Sequence, residues 1–88
     1  MNLNLLTVEQ SYDPGFTVVA TYSQGAPAPV ELYTREKDGV IGRPHAPAEH
    51  RLPAILTGLR AIDVTPLRDY MNDFANAEQI RRGWRDSA

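Results

Sequence analysis

Residues 12–22 read YDPGFTVVATY, and the fold turns on this stretch. Asp13-Pro14-Gly15 is turn chemistry: proline presets one corner torsion and glycine tolerates the other. Beyond the turn, Phe16, Val18, Ala20 and Tyr22 fall on one side of an extended chain, with Thr17, Val19 and Thr21 on the other. That period of two marks a strand with one face toward a core. Upstream, the β-prone run from Leu3 to Tyr12 supplies the first arm of a hairpin.

Working outward, Gln24 to Pro29 reads QGAPAP, a connector in which Pro27 and Pro29 have no amide hydrogen to give to a ladder. Val30 to Glu36 then sets Val30, Leu32 and Thr34 against Glu31, Tyr33 and Arg35, which predicts a third strand. Asp38-Gly39 is a two-residue hairpin turn, and Val40-Ile41 behind it reads as the stub of a fourth strand. Residues 42–53, GRPHAPAEHRLP, hold three of the seven prolines and both histidines. Regular structure is not expected through most of that crossover.

Helical spacing begins next. Leu52, Ile55, Leu56, Leu59 and Ile62 recur at three and four residues, and Pro53 suits the first turn of a helix running to about Ala61, slightly weakened by Gly58. In the last helix Thr65 is placed as N-cap and Pro66 as first helical residue, and Leu67, Tyr70, Met71, Phe74 and Ala77 form an apolar stripe with Ile80 at its edge. Gly83 fits a left-handed helix end, Trp84 a closing contact on the last turn, and Arg81 and Arg82 the negative end of the helix dipole, with Glu78 to Arg82 a favourable pair. The short connector Asp63-Val64-Thr65 makes the two helices antiparallel. The expected whole is one α+β domain: a small antiparallel sheet of three to four strands over residues 1–41, a proline-rich crossover over 42–52, and a helical hairpin over 53–85 packed on one sheet face.

Composition bounds the function. The 88 residues contain no cysteine and carry a net charge of −2. A chain this short buries only about 60–65% of its unfolded surface, so a deep substrate pocket would compete with the core for apolar side chains. Without cysteine there is no disulfide, thiolate metal site or cysteine nucleophile. Residues 1–40 carry five acids and two bases, and residues 41–88 carry six acids and seven arginines. Neither half has the strongly basic face of a duplex-DNA binder. MNLNLLTVEQ lacks the basic start and long apolar run of a signal peptide, and no stretch approaches a bilayer span, so a cytoplasmic protein is expected.

Candidate chemistry is sparse. His45, Glu49 and His50 could in principle hold a metal, but their spacing belongs to no helix or finger, and neither metal nor cofactor is expected. Asp69 and Asp73 stand one helical turn apart on the polar side of the last helix, where water keeps carboxylates ionised. No serine lies in a nucleophile-elbow context, and no phosphate-cradling or calcium loop is present. RRGWR, residues 81–85, is the most suggestive cluster, because tryptophan and arginine serve both protein hot spots and stacked nucleic acid.

These features point to a non-enzymatic protein-interaction module, of the kind a phage or mobile element uses as an inhibitor by occupying a surface on a larger host complex. Arg81, Arg82, Trp84, Arg85, Asp69 and Asp73 are the candidate contacts. A small structural component of a larger, virion-like assembly and a single-stranded nucleic-acid-binding accessory protein are the alternatives. A homodimer through a sheet edge is compatible with each.

Overall fold

The structure, a computed structural model, describes residues 5–12 and 15–83. Three strands, β1 (Leu5–Tyr12), β2 (Phe16–Ser23) and β3 (Val30–Glu36), precede two helices, α1 (Leu52–Arg60) and α2 (Thr65–Arg81). This is the expected α+β arrangement. Leu3, Asp13 and Pro14 of the expected hairpin lie outside the described residues.

The sheet is an antiparallel meander in the order β1-β2-β3. Ala20 of β2 pairs with Val8 of β1 and Leu32 of β3, so these three side chains share a face. That face is the core: Val8, Phe16, Val18, Ala20, Tyr22, Val30 and Leu32 meet Ile55 and Leu59 of α1 and Leu67, Met71 and Ala75 of α2. Among the described residues no helix lies on the opposite face, yet Val19 at its centre is 0% exposed. Its cross-strand neighbours are Glu9 and Tyr33. Arg35 reaches from β3 across β2 to Glu9, with Nη1 to Oε1 at 2.7 Å, and the bridge closes over the middle strand.

The sheet edges differ. Residues 39–45 fold back along β3, where Leu32 and His45 exchange both backbone hydrogen bonds at 2.8 and 2.7 Å. Gly42 N–H donates to the Thr34 carbonyl, and Glu36 N–H donates to the Val40 carbonyl. Val40-Ile41 therefore does not build the expected fourth strand. Residues 39–45 contribute instead two isolated bridges, Arg35 with Ile41 and Leu32 with His45, whose registers differ by one residue, so no continuous ladder joins them. Among the described residues, no segment covers β1 in the same way.

Two helical expectations need correction. Thr65 is not a side-chain N-cap: it is already helical, and its N–H donates at 3.0 Å to Oδ1 of Asp63, two residues back. That bond, foremost, holds the Asp63 carboxyl below its ordinary range. The apolar stripe of α2 is also narrower than expected. Leu67, Met71 and Ala75 are buried while Ala77 is exposed, since Ala75 lies a turn beyond Met71 on the same line. On α1, Ile55, Gly58 and Leu59 are buried and Leu52 and Leu56 only partly covered. At Gly58 the start of α2 approaches closely: a Cβ there would lie 2.8 Å from the Asp63 carbonyl oxygen and 2.9 Å from Pro66 Cγ.

Both helices end in a left-handed residue. Gly83 (φ +79) takes that position after α2, as its sequence suggests. After α1 the position falls to Ile62 (φ 57), whose N–H donates to Leu59, while Asp63 N–H donates to Gly58. The chain therefore turns out of the α1 stripe at Ile62, and its side chain is 59% exposed.

Candidate functional site

Of the residues singled out at the C-terminal end of the chain, Trp84 and Arg85 lie outside the described residues. Arg82 points inward. Its Nη1 and Nη2 donate to Glu36 Oε1 and Oε2 at 2.8 and 2.6 Å, and its Nε donates to Glu78 Oε1 at 2.7 Å. The guanidinium lies 4.5 Å from the centroid of Phe16, and Phe16 stacks with Tyr12 at 5.7 Å. With only 19% of its side chain exposed, Arg82 joins the end of α2 to the end of β3. Its hydrogen bond from Arg82 holds the Glu36 carboxyl below its ordinary range, against a smaller opposing effect of burial. Glu78 is lowered mainly by Arg81, with Arg82 adding to it and burial opposing. Arg81 is exposed and, among the described residues, its guanidinium bonds back to Glu78.

Asp69 and Asp73 occupy the polar flanks of α2. Asp73 accepts from Arg51 Nη1 at 2.8 Å, and the Arg51 guanidinium sits 5.1 Å from the Tyr70 centroid. Asp69 is exposed beside Arg68 on a groove that also includes Glu9, Gln10, Thr65 and Asn72. Asn72 pins this flank to β1, its Oδ1 accepting from Gln10 Nε2 at 3.1 Å and the Tyr12 hydroxyl at 2.7 Å. Asp73 is thus paired with Arg51 while Asp69 faces solvent on the opposite flank, and the two form no dyad.

His45, Glu49 and His50 are not gathered into a ligand set. His45 is fixed through its backbone to Leu32 and lies against the Phe74 ring at 5.7 Å. Among the described residues no group of three or more histidine or carboxylate side chains converges on a point. No helix among them is long and apolar enough to cross a membrane.

The outer face of α1 was not singled out from the sequence. The turn before α1 is fixed from two sides: Ala48 N–H donates to the Tyr70 hydroxyl at 3.2 Å, and the Ala48 carbonyl accepts from Arg51 and Leu52. Ile55, Gly58 and Leu59 then face inward, leaving Leu52, Pro53, Leu56, Thr57 and Arg60 along the outside. With Glu49 they line a groove of 390 Å³. Its floor is aliphatic, and it carries an acid at the start and a base at the end. The missed signal was the width of the α1 stripe: Leu52 and Leu56 add a second apolar line beside Ile55 and Leu59, more than one neighbouring helix and one sheet can cover. Comparisons with protein-family models, curated proteins and solved structures find no match to this chain.

Proposed function

We propose that this protein is a non-enzymatic interaction module that binds a larger protein through the outer face of α1. The observation that supports this reading is the groove along Leu52, Pro53, Leu56 and Thr57, bounded by Glu49 and Arg60. An aliphatic centre with a charged rim is the anatomy of a protein interface core. A helix presenting apolar residues at positions i and i+4 accepts an apolar anchor from an amphipathic partner segment, with acid and base at the two ends setting its direction. Such a module acts by occupancy, since whatever it covers on its partner is withheld from other ligands.

Affinity capture with wild type, Thr57→Arg, Leu56→Gln and Arg81→Ala tests it. A defined partner should be retained by wild type and Arg81→Ala and lost with both groove variants, while the melting temperature of Thr57→Arg stays near that of wild type. Capture that survives both groove variants would refute the reading. Loss with Arg81→Ala alone would move the contact to the end of α2.

A further inference from the structure

We infer that β1 is the dimerisation edge of this protein, pairing antiparallel with β1 of a second copy to make a continuous six-stranded sheet. This concerns the side of the molecule away from the α1 groove and does not depend on it.

Backbone geometry decides which groups face outward on β1. Leu32 exchanges both hydrogen bonds with His45 on the outer side of β3, so its pairing with Ala20 across β2 is of the non-hydrogen-bonded kind. Ala20 then directs its N–H and C=O toward β1 and bonds Val8. Alternation leaves Leu5, Thr7, Glu9 and Ser11 with N–H and C=O pointing away from the sheet. Their side chains lie on the open face and all four are exposed.

Sheet proteins guard such edges with prolines, lysines, bulges, short strands or covering segments. On this chain the β3 edge is guarded by residues 39–45. β1 has none of those devices among its residues: LLTVEQSY is eight residues long, pairs with β2 one for one without a bulge, and contains no proline or lysine. Its one charge, Glu9, is engaged by Arg35 of the same chain across the open face, in an exposed bridge that leaves Glu9 a carboxylate to its neighbours.

Two-fold pairing through outward-facing groups permits only centres that match odd residues with odd residues. Near the middle of the strand these are Val8 and Glu9. Centring on Glu9 sets two carboxylates face to face, which disfavours it. Centring on Val8 pairs Leu5 with Ser11 of the second copy and Thr7 with its Glu9, each twice, and engages all four outward residues. On the helix side Val8 meets its own copy, and Leu6 of the second copy stands opposite Gln10. There the groove between β1 and α2, lined by Gln10, Arg68, Asp69 and Asn72, leaves room for it. Arg68 and Asp69 on that flank are opposite in sign, so the two α2 helices meet across the axis without net repulsion. The open face of one copy continues into that of the other, since directly opposed residues share a face.

The test uses purified protein alone. Sedimentation equilibrium should give twice the 9.8 kDa chain mass as concentration rises. Thr7→Pro removes an outward N–H that bonds nothing among the described residues, and should leave a folded monomer. Thr7→Lys and Thr7→Glu read the register without touching the backbone: with Thr7 opposite Glu9 of the second copy, lysine should tighten and glutamate loosen the dimer, separating their Kd values by about tenfold at low salt. A chain that stays monomeric at every concentration would overturn the inference, as would a dimer with equal Kd for the two charged variants. A dimer abolished by Thr57→Arg but not by Thr7→Pro would also overturn it, by assigning self-association to α1. A monomer that still captures its partner through α1 would end this inference and leave the proposed function standing.

Discussion

The two helices obey the same spacing rule and end with opposite surfaces. α1 has more apolar side chains than its surroundings cover, so Leu52 and Leu56 remain half out. α2 lies with β1 on one flank and α1 on the other, and its buried line needs only Leu67, Met71 and Ala75. At its far end the gap is filled by Arg82, a cation folded onto Phe16 and held by two carboxylates. Periodicity tells which side of a helix is apolar. How much of that side is covered depends on how many neighbours the helix has.

Substitutions on the two helices can break or sharpen this contrast. The largest effect is expected at Met71, which is fully enclosed: Met71→Ala should cost about 2–5 kcal/mol in chemical denaturation. An effect no greater than that of Leu56→Ala would erase the distinction. Arg82→Ala should come next, at about 1–3 kcal/mol, because it strips packing from Phe16 and leaves Glu36 and Glu78 without their shared cation. Arg81→Ala, at an exposed site on the same helix end, should change far less.

Acid should act through the same cluster. Glu36 and Glu78 are both held below their ordinary 4.5 in the folded protein. Their contribution is therefore complete above that value and is lost as pH falls through the lowered folded values. Melting temperature should decline below about pH 4.5, and less steeply in Arg82→Ala than in wild type, which a thermal scan across acid pH would measure. The smallest effect is expected for Thr57→Arg on the outer face of α1. It should stay within about 0.5 kcal/mol of wild type, since it removes no core contact. A large loss there would show the groove to be structural.

Much of this fold was legible in the sequence because its signals are local. The alternation of residues 16–22, a turn at Asp38-Gly39 (of three residues, 37–39, where two were expected), Pro53 and Pro66 in first turns, and Gly83 at a helix end each depend on a few neighbours. What was hidden depends on residues far apart. Glu78 as a partner of Arg82 follows from helical spacing, but Glu36, which turns Arg82 inward, lies 46 positions away. Thr65 is helical and its N–H bonds back to Asp63 with Val64 at the cap position, and nothing in isoleucine announces the left-handed residue at 62. Gly58 reads as a blemish in a helix and proves to be a contact point of two. Val19 looked like a residue on a wetted face, and the Glu9–Arg35 bridge over β2 lies across the face it occupies. On the candidate surface Leu52 and Leu56 were visible as part of an apolar stripe, but nothing in their spacing told that they would stay partly uncovered.

The left-handed Ile62 bears on how the molecule comes together. A glycine turn such as that at Gly83 forms at little cost from local preference alone, whereas a β-branched residue at φ 57 opposes its own turn by roughly 1–2 kcal/mol. α1, with nine residues, is too short to stand by itself in water. The corner between the helices is therefore stable only once Gly58 has closed on Pro66 and the Asp63 carbonyl and both helices rest on the sheet. Corner, helix pair and sheet form together or not at all. The chain behaves as one cooperative unit, and residues 52–83 cut away from the strands would not keep the hairpin they make here.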